Sequence, residues 1–166
     1  MLNSQTAESV IDHALSLGAD FAELFVEKNE TNIVSTLSDE VQSVESGINF
    51  GIGLRLVYGS KVLYGYTNKT DQDELLRIAS VLAAKDLRDP VSTLTSFNFN
   101  QIPDIHPASK ILSVDAEIES KVAYLMAADR AARAASEQLS QTLGSCMQRE
   151  QRVEIFNSEG LHTNDK

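Results

Sequence analysis

The sequence predicts an α+β domain: a mostly antiparallel sheet with helices packed on one face. Two observations carry that expectation. Apolar residues change from helical spacing to strict alternation and back along the chain, and the alternating stretches follow one another with connections too short for crossover helices. Composition agrees. The 166 residues are 42% hydrophobic and 23% charged, with no Trp and only 6% aromatics, so a core here rests on Leu, Ile, Val and Ala.

The first element is a short amphipathic helix. Ala7, Val10, Ile11, Ala14 and Leu15 recur on one face, with Ser4 or Thr6 as N-cap and Gly18 as the stop. Phe21 to Glu27 and Ile33 to Leu37 read as strands around a polar break at Lys28-Asn29-Glu30, and Val41 to Ser46 as a third. The clearest strand follows. Ile48, Phe50, Ile52, Leu54, Leu56 and Tyr58 alternate, leaving Gly51, Gly53, Arg55 and Val57 on the other face. Gly59-Ser60 turns the chain into Lys61 to Asn68, where Val62, Tyr64 and Tyr66 alternate.

Thr70 to Glu74 starts a helix, with acids in its first turn favoured by the helix dipole. Leu75, Ile78, Ala79 and Leu82 form its buried face, and its end is expected near Arg88. Residues 89–113 hold all three prolines (Pro90, Pro103 and Pro107) and read as an arm joining two halves of one domain that spans 1–166. A second long helix, from about Val114 to Gln138, turns Ile118, Val122, Leu125 and Ala132 to one side. Alternation from Leu139 to Met147, a turn at Arg149 to Arg152 and a strand from Val153 to Asn157 close the pattern. Asn157-Ser158-Glu159-Gly160 reads as a turn, and Leu161 to Lys166 receives no element, so the sequence is expected to continue into a further domain.

Net charge is −10, from 24 acids against 14 bases, and no window concentrates Lys and Arg. An acidic body repels phosphate backbones and anionic lipid surfaces, which argues against nucleic-acid and membrane-surface roles. No apolar run approaches the ~20 residues that span a bilayer. The N-terminus lacks a basic start and an apolar run, and a single cysteine, Cys146, excludes an internal disulfide. A cytoplasmic location follows as the expectation.

Candidate chemistry is sparse. His13, His106 and His162 lie far apart and form no metal-ligand spacing, so each reads as a surface residue and no metal or cofactor position is assigned. Gly51-Ile52-Gly53 lies within a strand, not between a strand and a helix, so it fits no dinucleotide loop. Instead the two glycines would relieve a sheet face where backbone or a helix packs closely. Cys146 has no neighbouring His and reads as a half-buried structural residue. No catalytic residue is assigned. Arg55, between Leu54 and Leu56, has two readings: an outward arginine on a half-wet sheet, or an anchor for a neighbouring domain or partner.

Three segments together resemble one family. They are Gly18-Ala19-Asp20-Phe21-Ala22-Glu23, then Gly47-Ile48-Asn49-Phe50-Gly51-Ile52-Gly53-Leu54-Arg55, and Lys61 followed by Tyr64-Gly65-Tyr66. In order and spacing they are similar to the N-terminal domain of the TldD/PmbA family, the modulator of DNA gyrase or zinc metalloprotease family. The resemblance implies a cytoplasmic peptidase that processes or degrades unfolded peptides, built from two paired subunits, homologous or identical, around a cavity. It implies zinc in the full-length catalytic subunit, on a His-Glu-x-x-x-His helix and a later cysteine, none of which is present here. Arg55, Gly51, Gly53 and Gly65 are then candidate interface or structural positions. This piece alone would be inactive and would supply scaffold, cavity wall and subunit contact. A non-catalytic PmbA-like subunit and a stand-alone α+β module that binds a protein through an exposed edge strand remain alternatives.

Overall fold

The computed structural model describes residues 2–86, 99–103 and 116–166. Its elements run α1 (Ser4–Ser16), β1 (Phe21–Leu37), β2 (Glu40–Tyr58), β3 (Lys61–Thr67), α2 (Gln72–Ala83), β4 (Asn100–Ile102), α3 (Ile118–Ala135), β5 (Leu143–Asn157) and β6 (Leu161–Asp165). The six strands form one sheet in the order β3-β2-β1-β5-β6-β4. β2 with β3 and β5 with β6 pair antiparallel, whereas β4 runs parallel to β6. The α+β expectation holds. Two compact units divide the chain: the first gathers Met1–Lys28, Phe50–His106 and Arg152–Lys166, the second Asn29–Asn49 and Pro107–Gln151.

The first unit holds the apolar core. α1 buries Ala7, Val10, Ile11 and Ala14, the spacing that places them on one face. α2 buries Leu75, Ile78, Ala79, Leu82 and Ala83. Beneath the helices lie Ala22, Leu24 and Val26 of β1 and Ile52, Leu54, Leu56 and Tyr58 of β2, joined by Phe156 of β5. Each fully buried Leu or Ile contributes about 1.5–3 kcal/mol. Asn3, not Ser4 or Thr6, caps α1, because its Oδ1 accepts from the Gln5 amide at 2.8 Å. Gly18 ends the helix at φ 90°, which only glycine adopts without strain. Asp71 caps α2 by accepting from the Glu74 amide at 3.1 Å.

The second unit is built differently. α3 buries Lys121, Leu125 and Asp129, a stripe at i, i+4 and i+8 in which two of three residues are charged. Of the face that apolar spacing predicts, Leu125 is buried and Val122 and Ala132 are half-buried, but Ile118 is exposed. Gly144 lets α3 and β1 close in: a Cβ there would stand 2.6 Å from Thr36 Oγ1 and 3.3 Å from Leu125 Cδ2. Between β1 and β2, Ser38 and Asp39 both have positive φ, 50° and 68°, as a two-residue hairpin turn of type I′ requires.

Strand boundaries differ most from expectation. β1 runs unbroken through Lys28-Asn29-Glu30, and β5 runs unbroken through Arg149 to Arg152. Polar residues mark a turn only where the backbone must find water, and here both segments lie within the sheet order. α2 stops at Ala83 rather than near Arg88. Of the expected arm at 89–113, only residues 99–103 are described, and they include β4. Leu161–Asp165, given no element from sequence, is strand β6.

Candidate functional site

The side of the first unit's sheet away from its helices carries the chemistry that sequence singled out. Along β1 and β2 the even positions are buried, so Phe21, Glu23, Gly53, Arg55 and Val57 point the other way. Register adds β3 to this face, because Gly53, Arg55 and Val57 pair with Tyr66, Tyr64 and Val62. Arg55 Nη2 lies 3.0 Å from Glu23 Oε1, and its guanidinium sits 5.5 Å from the Phe21 ring centroid. The pair is partly wet, Arg55 being 46% exposed, so the ion pair itself adds little stability. Tyr64, Tyr66 and Val62 are 60%, 81% and 59% exposed.

The three candidate glycines do different things. Gly53 lies under the Tyr64 ring, and a Cβ there would sit 2.2 Å from Tyr64 Oη and 2.9 Å from Cε2. The group packed on it is therefore an aromatic side chain, not a helix or backbone. Gly65, opposite Leu54, faces the helices, where a Cβ would stand 2.8 Å from Ile78 Cγ2 and 3.3 Å from Leu82 Cδ1. Its missing side chain lets α2 settle on β3. At Gly51 a Cβ would meet only the Thr67 carbonyl, at 3.8 Å, an ordinary contact.

Sequence reasoning missed two polar clusters. In the first unit, His162 on β6 stacks on Phe156 with centroids 4.2 Å apart, and Phe99 meets both rings edge-on. His162 Nε2 is 3.1 Å from Glu154 Oε1, whose Oε2 accepts from the Leu2 amide at 3.1 Å. In the second unit, Asp129 accepts from Thr142 Oγ1 and from Arg133 Nε, the latter at 2.9 Å. The Thr142 hydroxyl first, then the Arg133 guanidinium and the Asp39 amide, hold the Asp129 carboxyl below its usual pKa. Asp129 and Arg133 are four apart on α3, and Glu154, Phe156 and His162 are close in sequence, but Asp39, Phe99 and Leu2 join these clusters only through the fold.

The metal-donor side chains do not converge. His13 Nε2 lies 2.8 Å from Ser80 Oγ, bridging α1 and α2; His162 pairs with Glu154; Cys146 is a half-buried free thiol on β5. His106 lies outside the described residues. Among the described residues no group of three or more His, Cys, Asp or Glu is placed to hold a metal ion. These residues do not fit a zinc site, and no step is assigned to one. No helix among them is long and apolar enough to cross a membrane.

Two family models match the chain: PmbA/TldA metallopeptidase domain 1 over residues 22–85, and the PmbA/TldA metallopeptidase central domain over residues 112–166. The chain belongs to the TldD/PmbA family. Solved structures agree on the fold. A protein named a modulator of DNA gyrase from Bacteroides thetaiotaomicron superposes with a TM-score of 0.73 at 16% identity, over 98% of this chain and 38% of its own. A second so named, from Thermotoga maritima, gives 0.74 at 9% identity, over 98% and 36%. TldE from Thermococcus kodakarensis gives 0.66 at 15% identity, over 96% and 36%. The TldD/PmbA chain in hand thus spans little more than a third of each of these relatives. No curated protein sequence matches it significantly.

Proposed function

We propose that this TldD/PmbA-family chain is the part of a metal-dependent peptidase subunit that walls the cavity where unfolded peptides are processed, and that it supplies part of the contact with a homologous subunit in the cytoplasm. The observation that carries this reading is the open sheet face of the first unit. Tyr64, Tyr66, Val62 and Arg55 crowd one surface, and aromatics and arginine are the residues enriched where proteins meet. A lone surface tyrosine needs no explanation, but four such groups at adjacent register positions form a patch.

The peptide-bond chemistry belongs elsewhere in this account. Zinc in the full-length catalytic subunit would activate water and polarise the carbonyl, with a glutamate as general base. Arg55, held by Glu23 and Phe21, would act by orienting the contact, with Gly53 and Gly65 setting how closely Tyr64 and α2 approach.

The test uses the full-length protein carrying Tyr64→Ala, Tyr66→Ala and Arg55→Ala together, assayed for assembly with its homologous subunit and for hydrolysis of an unfolded peptide. Loss of both is expected. Unchanged assembly and hydrolysis would remove this face, and Arg55 with it, from the account.

A further inference from the structure

In the second unit one stretch of β2 has a described strand on one side only. β2 has β1 on one side and β3 on the other, yet β3 pairs only with Ile52–Tyr58. Among the described strands, none flanks the outer side of Glu40–Asn49. Nine of those ten residues are exposed and Ser43 is intermediate. Val41, Val44 and Ile48 are 43%, 46% and 65% exposed. Open edges in monomers are normally blunted by charged side chains, lysine above all, by proline or by a covering element, because their free N–H and C=O groups template another strand. Glu40–Asn49 contains no Lys, Arg or Pro, and its charges are Glu40 and Glu45.

We propose that this edge pairs antiparallel with the same edge of a second copy of the chain, about a two-fold axis at Ser46. The pattern fits itself in that register. Val44 of each copy lies opposite Ile48 of the other, Glu45 lies opposite Gly47, and Ser46 lies opposite its own symmetry mate. Centring the pairing on Glu45 would oppose two carboxylates, and centring it on Gly47 would set Ile48 against Ser46. The slot is long enough, since β3 begins its pairing only at Ile52 and the hairpin turn at Ser38-Asp39 bounds the other end. The inference rests on the subunit-contact reading and adds this edge to the Tyr64, Tyr66 and Arg55 face as a second strip of contact.

Sedimentation of the chain over a wide range of concentration tests the pairing. The unmodified chain is expected to dimerise. Val44→Lys and Ile48→Lys, both at exposed positions, should weaken the dimer by about tenfold or more each while leaving the circular dichroism spectrum and melting unchanged. In a Cys146→Ser background, Ser46→Cys should give a covalent dimer on mild oxidation, because directly opposed Cβ atoms lie about 4.5–5.5 Å apart, close to disulfide reach. Ser43→Cys should not. A dimer indifferent to the lysine variants, or one in which Ser46→Cys fails to cross-link, overturns the edge pairing. If that dimer is lost with Tyr64→Ala and Tyr66→Ala, the subunit-contact reading survives on the other surface. A chain that stays monomeric alone and also ignores its homologous subunit overturns both.

Discussion

The two units bury opposite kinds of residue. The first encloses a continuous apolar cluster from α1, α2, β1, β2 and Phe156. In the second, the buried apolar side chains among the described residues are Val34 and Leu125, beside Thr36, Lys121, Asp129 and Glu150. An apolar core is non-directional and tolerates imperfect geometry. A polar one stands or falls on its hydrogen bonds, since buried charges cost free energy unless they are paired. The first unit is therefore expected to behave as the stable scaffold, and the second as a structure held by a few specific bonds.

The sharpest way to break that contrast is Phe156→Ala. It removes a fully buried ring from the first unit and should cost about 3–5 kcal/mol in chemical denaturation. A loss below about 1 kcal/mol would mean that the apolar cluster is not the main source of stability.

Gly65→Ala comes next. The added methyl meets Ile78 and Leu82 with no space to spare, so a cost of about 1–3 kcal/mol is expected. Gly53→Ala makes a nominally worse clash, but with a Tyr64 ring that is 60% exposed and free to swing out. Its cost should stay near that of ordinary surface changes, within about 0.5 kcal/mol. Finding the two equal would show that Tyr64 is pinned to the face.

Asp129 tests the polar unit, and the sign follows from its lowered pKa. The folded carboxylate is favoured by Thr142, Arg133 and the Asp39 amide, so its contribution is full above the unfolded carboxyl pKa. That contribution fades as pH falls through the lower folded value. Asp129→Asn should therefore destabilise α3 at neutral pH and match the unmodified chain in strong acid, as followed by melting at each pH. A constant difference down to strong acid would contradict the assignment.

The smallest effect belongs to Arg55→Ala, expected to change stability by only about 0–1 kcal/mol because the Glu23 pair is half in water. A larger loss would make Arg55 a structural residue and weaken its proposed part in subunit contact.

What could be read from sequence follows the same division. The helices of the first unit and the alternation from Ile52 to Tyr58 are visible because their burial is apolar and periodic. In the second unit periodicity misleads. Lys121 and Asp129 occupy buried positions of α3 while Ile118 is exposed, and the polar run that enters this unit from Lys28 through Asn29-Glu30 continues a strand. β6 was invisible because Leu161-His162-Thr163-Asn164-Asp165 has one apolar residue, its pairing coming from Val153 to Phe156 of β5. Arg55 lies on the face away from the core, and Glu23 and Phe21, some thirty residues earlier, are joined to it only by the fold.

Native-state hydrogen exchange on the chain tests the central contrast most directly. Amides of α2 and of Ile52 to Leu56 are expected to exchange only by global unfolding, while amides of α3 exchange through a smaller opening that becomes easier as pH falls toward the Asp129 titration. A single opening free energy shared by α2 and α3 at every pH would contradict it, and would show that the polar second unit is as firmly held as the apolar first.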